Sequence, residues 1–191
     1  VTGTPALSTT ADVNSPVSPP TYPIAVAIGT LASGNYSFTL QDSTLTVTQS
    51  NVTLAWATPA AITYGTPLSA TQLNATATDP STLLTVAGVF TYTPLSGTVL
   101  SAGTQLLSVH FVPTDSNDYA TPADITVNLT VNPSVLTVTA DNQTRLYGQN
   151  NPTLTYAITG FVNSDPPTVV SGTPSITTLA TPASGVAGSP Y

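Results

Sequence analysis

One histidine, one arginine and eight aspartates are the side chains this chain offers for ionic chemistry near neutral pH. Lysine, glutamate, cysteine and methionine are absent. His110 stands between Val109 and Phe111, which alternation turns inward, so its ring faces solvent or a neighbour. Nothing close to it supplies the acid–nucleophile set that triad chemistry needs. A glycosidase needs two facing carboxylates, and here the aspartates are scattered along the chain. No catalysis is expected, and no cofactor is implied.

The remaining polar candidates read as architecture. Asp115 and Asp118 lie in a Pro-Thr-Asp-Ser-Asn-Asp-Tyr turn. Oxygen-rich turns bind calcium when more carboxylates converge than these two supply, whereas Asx turns need only one. The pair is a weak calcium candidate, and no other metal site is expected. Tyr119 stands where a β-sandwich places a corner tyrosine, whose hydroxyl ties a loop to the backbone. Trp56 shares one strand face with Val52 and Leu54 and is expected to pack in a core or between domains. Arg145 is expected in a structural ion pair, with Asp141 or with an acid of a neighbouring domain. Asn35, Asn51, Asn74, Asn128 and Asn142 each open an Asn-x-Ser/Thr glycan-acceptor pattern, though in a chain this rich in Asn and Thr many such matches are accidental. Tyr22, Tyr36, Tyr92, Tyr156 and Tyr191 are candidate stacking platforms for sugars.

Composition narrows the setting. The charged fraction is 5%, against roughly 25% in ordinary soluble domains. A hydrophobic fraction of 40% with regular alternation argues against disorder. The formal net charge of −7 gives no means of displacing phosphate counterions or docking on anionic lipid. No run of about 18 apolar residues is present to span a membrane. There is no starting methionine and no basic-then-apolar leader, as expected of a mature chain or of one cut from within a larger one. Without cysteine there are no disulfides or thiolate sites, and without lysine no Lys–Asn isopeptide staple. Burial and sheet hydrogen bonding must supply the stability. A chain without Met or Cys also gives mild oxidants little to attack, and a single Arg leaves one trypsin-type site. In acid the aspartates protonate near pH 4, leaving the chain nearly neutral. These features fit an extracellular or cell-surface protein, and an acidic habitat.

The dominant period is two. Residues 43–48, 124–131 and 136–139 alternate β-branched or aliphatic with polar residues, as strands with one buried face do. Gly and Pro punctuate the chain at Ser33-Gly34-Asn35, Ser96-Gly97, Ala102-Gly103 and Asp165-Pro166-Pro167. No helical spacing extends beyond a turn or two. The fold class is all-β, with tandem antiparallel sandwiches arranged end to end.

Repeats organise these strands. Residues 170–191 align with residues 1–22 without a gap and match at nine positions, Val170 falling on Val1 and Tyr191 on Tyr22. A shorter repeat lies inside this one: Leu45-Thr46-Val47-Thr48 aligns with Leu129-Thr130-Val131-Asn132, and Tyr64-Gly65 with Tyr147-Gly148. The boundaries fall at Gln49-Ser50 and Pro133-Ser134. Segment 50–133 is one intact domain. Segment 1–49 holds the C-terminal part, and segment 134–191 the N-terminal part, of a second domain type. Either the chain is a window of a longer tandem array, or it is a subunit whose end pieces complete each other by strand addition. The overlap weighs against the second reading, because complementing halves need none. Between strands Ile125 to Val131 and Val135 to Thr139 lie about three residues, among them Pro133, whose fixed φ stiffens the joint. The expected result is a rod growing by roughly 35–45 Å per sandwich.

The run from Asn51-Val52-Thr53-Leu54-Ala55-Trp56 through Tyr64-Gly65-Thr66-Pro67, with Gly88-Val89-Phe90-Thr91-Tyr92 and Phe111-Val112-Pro113-Thr114-Asp115, resembles bacterial Ig-like repeats across residues 50–133. Leu136-Thr137-Val138-Thr139, Arg145-Leu146-Tyr147-Gly148 and Gly160-Phe161 resemble the start of an MBG-type β domain. Residues 1–48 resemble its end. The junctions, Thr-Gln-Ser and Asn-Pro-Ser, depart from the lysine common in such repeats. The resemblance implies a large secreted or surface-displayed bacterial repeat protein with no catalytic residues to carry over. The expected function is a structural component of an extracellular filament, fibre or stalk, with copies of itself as head-to-tail partners and possible lateral bundling. An adhesin repeat region, binding surfaces or glycans through loops at the sandwich ends, is the alternative.

Overall fold

The alternating segments do form strands. The computed structural model describes residues 1–188, so Tyr191 lies outside the described residues. Eleven strands and two one-turn 3₁₀ segments make an all-β chain among those residues. The strands are β1 (Ala6–Thr9), β2 (Thr21–Ala27), β3 (Ser43–Thr46), β4 (Thr53–Ala55), β5 (Ile62–Thr63), β6 (Thr76–Thr78), β7 (Gly88–Thr93), β8 (Gly103–Pro113), β9 (Ile125–Asn132), β10 (Thr137–Ala140) and β11 (Tyr156–Thr159). They form four sheets, in the orders β1-β2-β3, β10-β11, β4-β6 and β5-β9-β8-β7.

Period-two burial decides which face each strand hides. On β8, Leu107, Val109 and Phe111 are fully buried, while Leu106, His110 and Val112 between and beyond them are exposed. On β9, Leu129 and Val131 are buried between exposed Asn128, Thr130 and Asn132. β5 pairs parallel with the end of β9, Ile62 opposite Val131.

The chain folds as two compact units, with boundaries inside segment 50–133. The first comprises Val1–Pro59, Ala70–Ser96 and Leu106–Asn128. Its core gathers Val52, Ala77, Val86 and Phe111, with Leu54, Phe90 and Tyr119 packed against them. Ala77 comes from the β4–β6 sheet and Phe111 from the sheet of β8, so two sheets share this core. Burying these side chains contributes about 1.5–3 kcal/mol for each large one. Phe90 and Phe111, paired across β7 and β8, hold their ring centroids 4.6 Å apart.

The second unit comprises Ala60–Ser69, Gly97–Gln105 and Leu129–Tyr191. In it β10 and β11 form a two-stranded antiparallel sheet, Val138 opposite Ile158. Residues 133–136 join β9 to β10, and Pro133 is exposed in that joint. The Tyr64 hydroxyl donates to Asp165 Oδ2 at 2.8 Å, at the rim of a cavity of about 120 Å³ lined by Leu136, Phe161 and Val162.

Candidate functional site

A cleft of about 450 Å³ lies in the second unit around Arg145. Its walls come from the end of β10, from the loop 141–155 and from residues 176–186. The loop turns at Leu146-Tyr147-Gly148-Gln149, where the Gln149 amide donates to the Leu146 carbonyl at 3.2 Å. Gly148 sits at φ +84°, the positive value that the third residue of a type II turn requires. Thr63-Tyr64-Gly65-Thr66 makes the same turn, with Gly65 at φ +94° and a 3.0 Å bond from Thr66 to Thr63. The Tyr-Gly pairs aligned in the sequence are thus turns of one kind.

Arg145 clamps this loop to the segment beyond residue 178. Its Nε donates to Asn151 Oδ1 at 2.8 Å and one Nη to the Leu146 carbonyl at 3.2 Å. The other Nη donates to the Thr181 carbonyl. Asn151 Nδ2 donates to the Ala180 carbonyl at 2.7 Å, and the Gly148 amide to the Pro182 carbonyl at 3.1 Å. The expected ion pair with Asp141 does not form among the described residues. Asp141 instead accepts the Thr155 hydroxyl at 2.7 Å. The cause is geometric: a planar guanidinium with five N–H donors serves several carbonyls at once. One of them, the Thr181 carbonyl, lies 36 residues away, where sequence proximity gives no hint of it.

The other candidates are dispersed. Asp115 Oδ1 accepts the amides of Asn117 and Asp118, both at 3.1 Å, as an Asx turn does. Asp118 Oδ1 accepts the Val17 amide at 2.7 Å, and its carbonyl accepts the Ser50 amide at 2.8 Å. Both carboxylates therefore serve backbone amides. No group of three or more His, Cys, Asp or Glu side chains converges among the described residues. Tyr119 bridges to Ser50 by its backbone and packs its ring on the core.

Trp56 is buried, and its indole N–H donates to the Gln72 carbonyl at 2.9 Å. It meets Tyr92 edge-on at 5.3 Å, and the Tyr92 hydroxyl accepts the Ala75 amide at 3.0 Å. Burial pushes the Tyr92 phenol up from its ordinary value, partly offset by that amide. Tyr92 is thus a core residue, whereas Tyr36 is exposed and Tyr22 donates to the Pro16 carbonyl at 2.7 Å. Tyr156, at the start of β11, is half-buried opposite Ala140. His110 Nδ1 lies 2.6 Å from Asp124 Oδ1 on an exposed strand face.

One buried acid escaped the sequence reading. Asp79 accepts the Ser81 hydroxyl at 2.6 Å, the Ser81 amide at 2.8 Å and the Ser50 hydroxyl at 3.2 Å. The Ser81 hydroxyl and amide hold its carboxyl below the ordinary carboxylate range, against the opposing effect of burial. The Asp-Pro-Ser spacing was the available signal, since Asp commonly bonds the amide two residues on.

This arrangement holds loops and strands together. No curated protein and no solved structure matches the chain. Residues 136–191, under a third of the chain and including the Tyr147-Gly148-Gln149 turn, match the family of the MBG domain, YGX type.

Proposed function

We propose that the chain is a structural component of an extracellular bacterial filament, fibre or surface stalk, built from tandem Ig-like and MBG-type β-sandwiches. The observation that carries this reading is the duplicated segment, in which two local turn features recur. Gly3 and Gly172 both sit at φ +83°. The turn closed by Ser15 Oγ on the Asp12 amide at 2.8 Å recurs as Ser184 Oγ on the Thr181 amide at 2.9 Å. A segment that folds alike at two places along one chain is the unit of a repeat array. The MBG match over residues 136–191 supports the same reading.

Function is then mechanical. Sheet ladders carry load, the short Pro133-containing joint resists bending, and copies of the chain are its principal partners. Outer strand faces such as that of β9, with exposed Thr126, Asn128 and Thr130, leave lateral contact open. The aromatic ring contacts described all fall in the row Trp56–Tyr92–Phe90–Phe111 of the first unit. No exposed ring pair among the described residues favours glycan adhesion. Immunogold labelling of intact cells with antibody against this chain tests the proposal. Label along surface fibres is expected, and label confined to the cytoplasm contradicts it.

A further inference from the structure

The two flanking segments follow complementary halves of one plan. In segment 50–133 the β4–β6 sheet shares a core with a sheet in which β8 lies between β7 and β9. Segment 134–188 carries a counterpart of the first sheet: Thr137 and Val138 pair with Thr159 and Ile158 as Thr53 and Leu54 pair with Thr78 and Ala77. Segment 1–49 carries a counterpart of the second, with strand order β1-β2-β3 repeating β7-β8-β9. The pair Leu7–Val26 stands where Phe90–Phe111 stands in the intact segment.

Exposure shows what each half leaves open. Leu7 is 67% exposed, whereas Phe90 packs on the core. Tyr36, preceded by Ser-Gly-Asn, is 73% exposed, whereas Tyr119, preceded by Ser-Asn-Asp, packs on the core. Val138 is 52% exposed, whereas its counterpart Leu54 is packed.

The duplicated segment shows which strand is in place and which is absent. Residues 6–9 pair with β2, but among the described residues no strand pairs with 175–178. Their local bonds are nonetheless alike. The Ala11 amide donates to Thr9 Oγ1 at 3.2 Å, and the Ala180 amide to Thr178 Oγ1 at 3.2 Å. A Cβ on Gly3 would fall 2.0 Å from the Thr30 carbonyl oxygen, so only glycine fits there. Gly172 has the same φ with nothing within 4 Å. Ile176, the counterpart of Leu7, is half-buried on the wall of the Arg145 cleft.

We propose that this cleft and the extended segment 175–178 beside it seat the β2–β3 hairpin of a second copy of residues 21–49. Ile176 lies opposite Val26 of that copy, as Leu7 lies opposite Val26 within the chain. Ser134 bridges Tyr36 of that copy as Ser50 bridges Tyr119. The joint is a strand addition with main-chain bonds for affinity and alternate side chains for register. It rests on the repeat-fibre reading and specifies how successive units interlock.

The test extends the full chain at Tyr191 by a second copy of residues 23–49, which continues the duplicated register. Amide hydrogen exchange at 175–178 is then compared with that at 6–9 in the same molecule. The expected result is slowing at 175–178 by roughly a hundredfold, toward the rate of 6–9. Gain of protection at 175–178 with loss at 6–9 also supports the pairing, since it means exchange onto β2. Unchanged exchange at 175–178 with protected 6–9 overturns it. A second measurement places cysteines by Ile176→Cys and by Val26→Cys in the appended copy. A disulfide in this pair and none in Ser175→Cys with the same partner supports the register, and the reverse overturns it. Failure of the pairing leaves the surface-fibre reading standing on its immunogold test. Failure of that test leaves the pairing measurable.

Discussion

Asp79 shows how a single side chain ties stability to pH. Its carboxylate is stabilised in the folded state by Ser81, so its folded pKa lies below its unfolded value. The stabilisation is present above the unfolded value, about pH 4. It is lost as pH falls through the folded value. Urea midpoints of the native chain should therefore fall between pH 5 and pH 3 by more than those of Asp79→Asn, as a paired titration would read. Tyr92 behaves in the opposite sense: its raised pKa gives stability that is lost as pH climbs through the folded value. Among apolar residues, Phe111→Ala should cost about 3–5 kcal/mol in equilibrium unfolding, because the side chain is fully buried. Trp56→Phe keeps most of the ring volume but leaves the Gln72 carbonyl without its indole donor. Loss of that one hydrogen bond should cost about 0.5–1.5 kcal/mol. By contrast, His110→Ala should change stability by less than about 1 kcal/mol, since both partners of the Asp124 pair are exposed.

At the scale of elements, the strands were legible because side-chain alternation is local. The inward Val109 and Phe111 and the outward His110 could be placed from three adjacent letters. The paired Tyr-Gly turns were legible too, through glycine's tolerance of positive φ. Long-range polar partners were not. Arg145 was expected to meet an acid, but the carbonyl of Thr181 and the side chain of Asn151 hold it. Charge sign suggests a partner, yet backbone carbonyls carry no signature in sequence. Arg145→Ala should therefore loosen residues 180–182 from the 146–151 loop. Faster amide exchange at Gly148, whose donor reaches Pro182, is the expected readout. Arg145→Lys should restore little, because a point charge cannot serve three acceptors in a plane.

For the whole molecule, the proposed role is a mechanical array of repeated β units. The duplication at an offset of 169 residues, Val1 to Val170, was visible in the sequence. The unequal burial of its two copies was not, because burial depends on which strands lie alongside. Small-angle scattering on tandem arrays of one to four copies of residues 1–169 tests the claim most directly. The maximum dimension should grow by a constant increment of about 70–90 Å per added copy, two sandwiches' worth. Growth following roughly the square root of copy number, as for a flexible string, would contradict it.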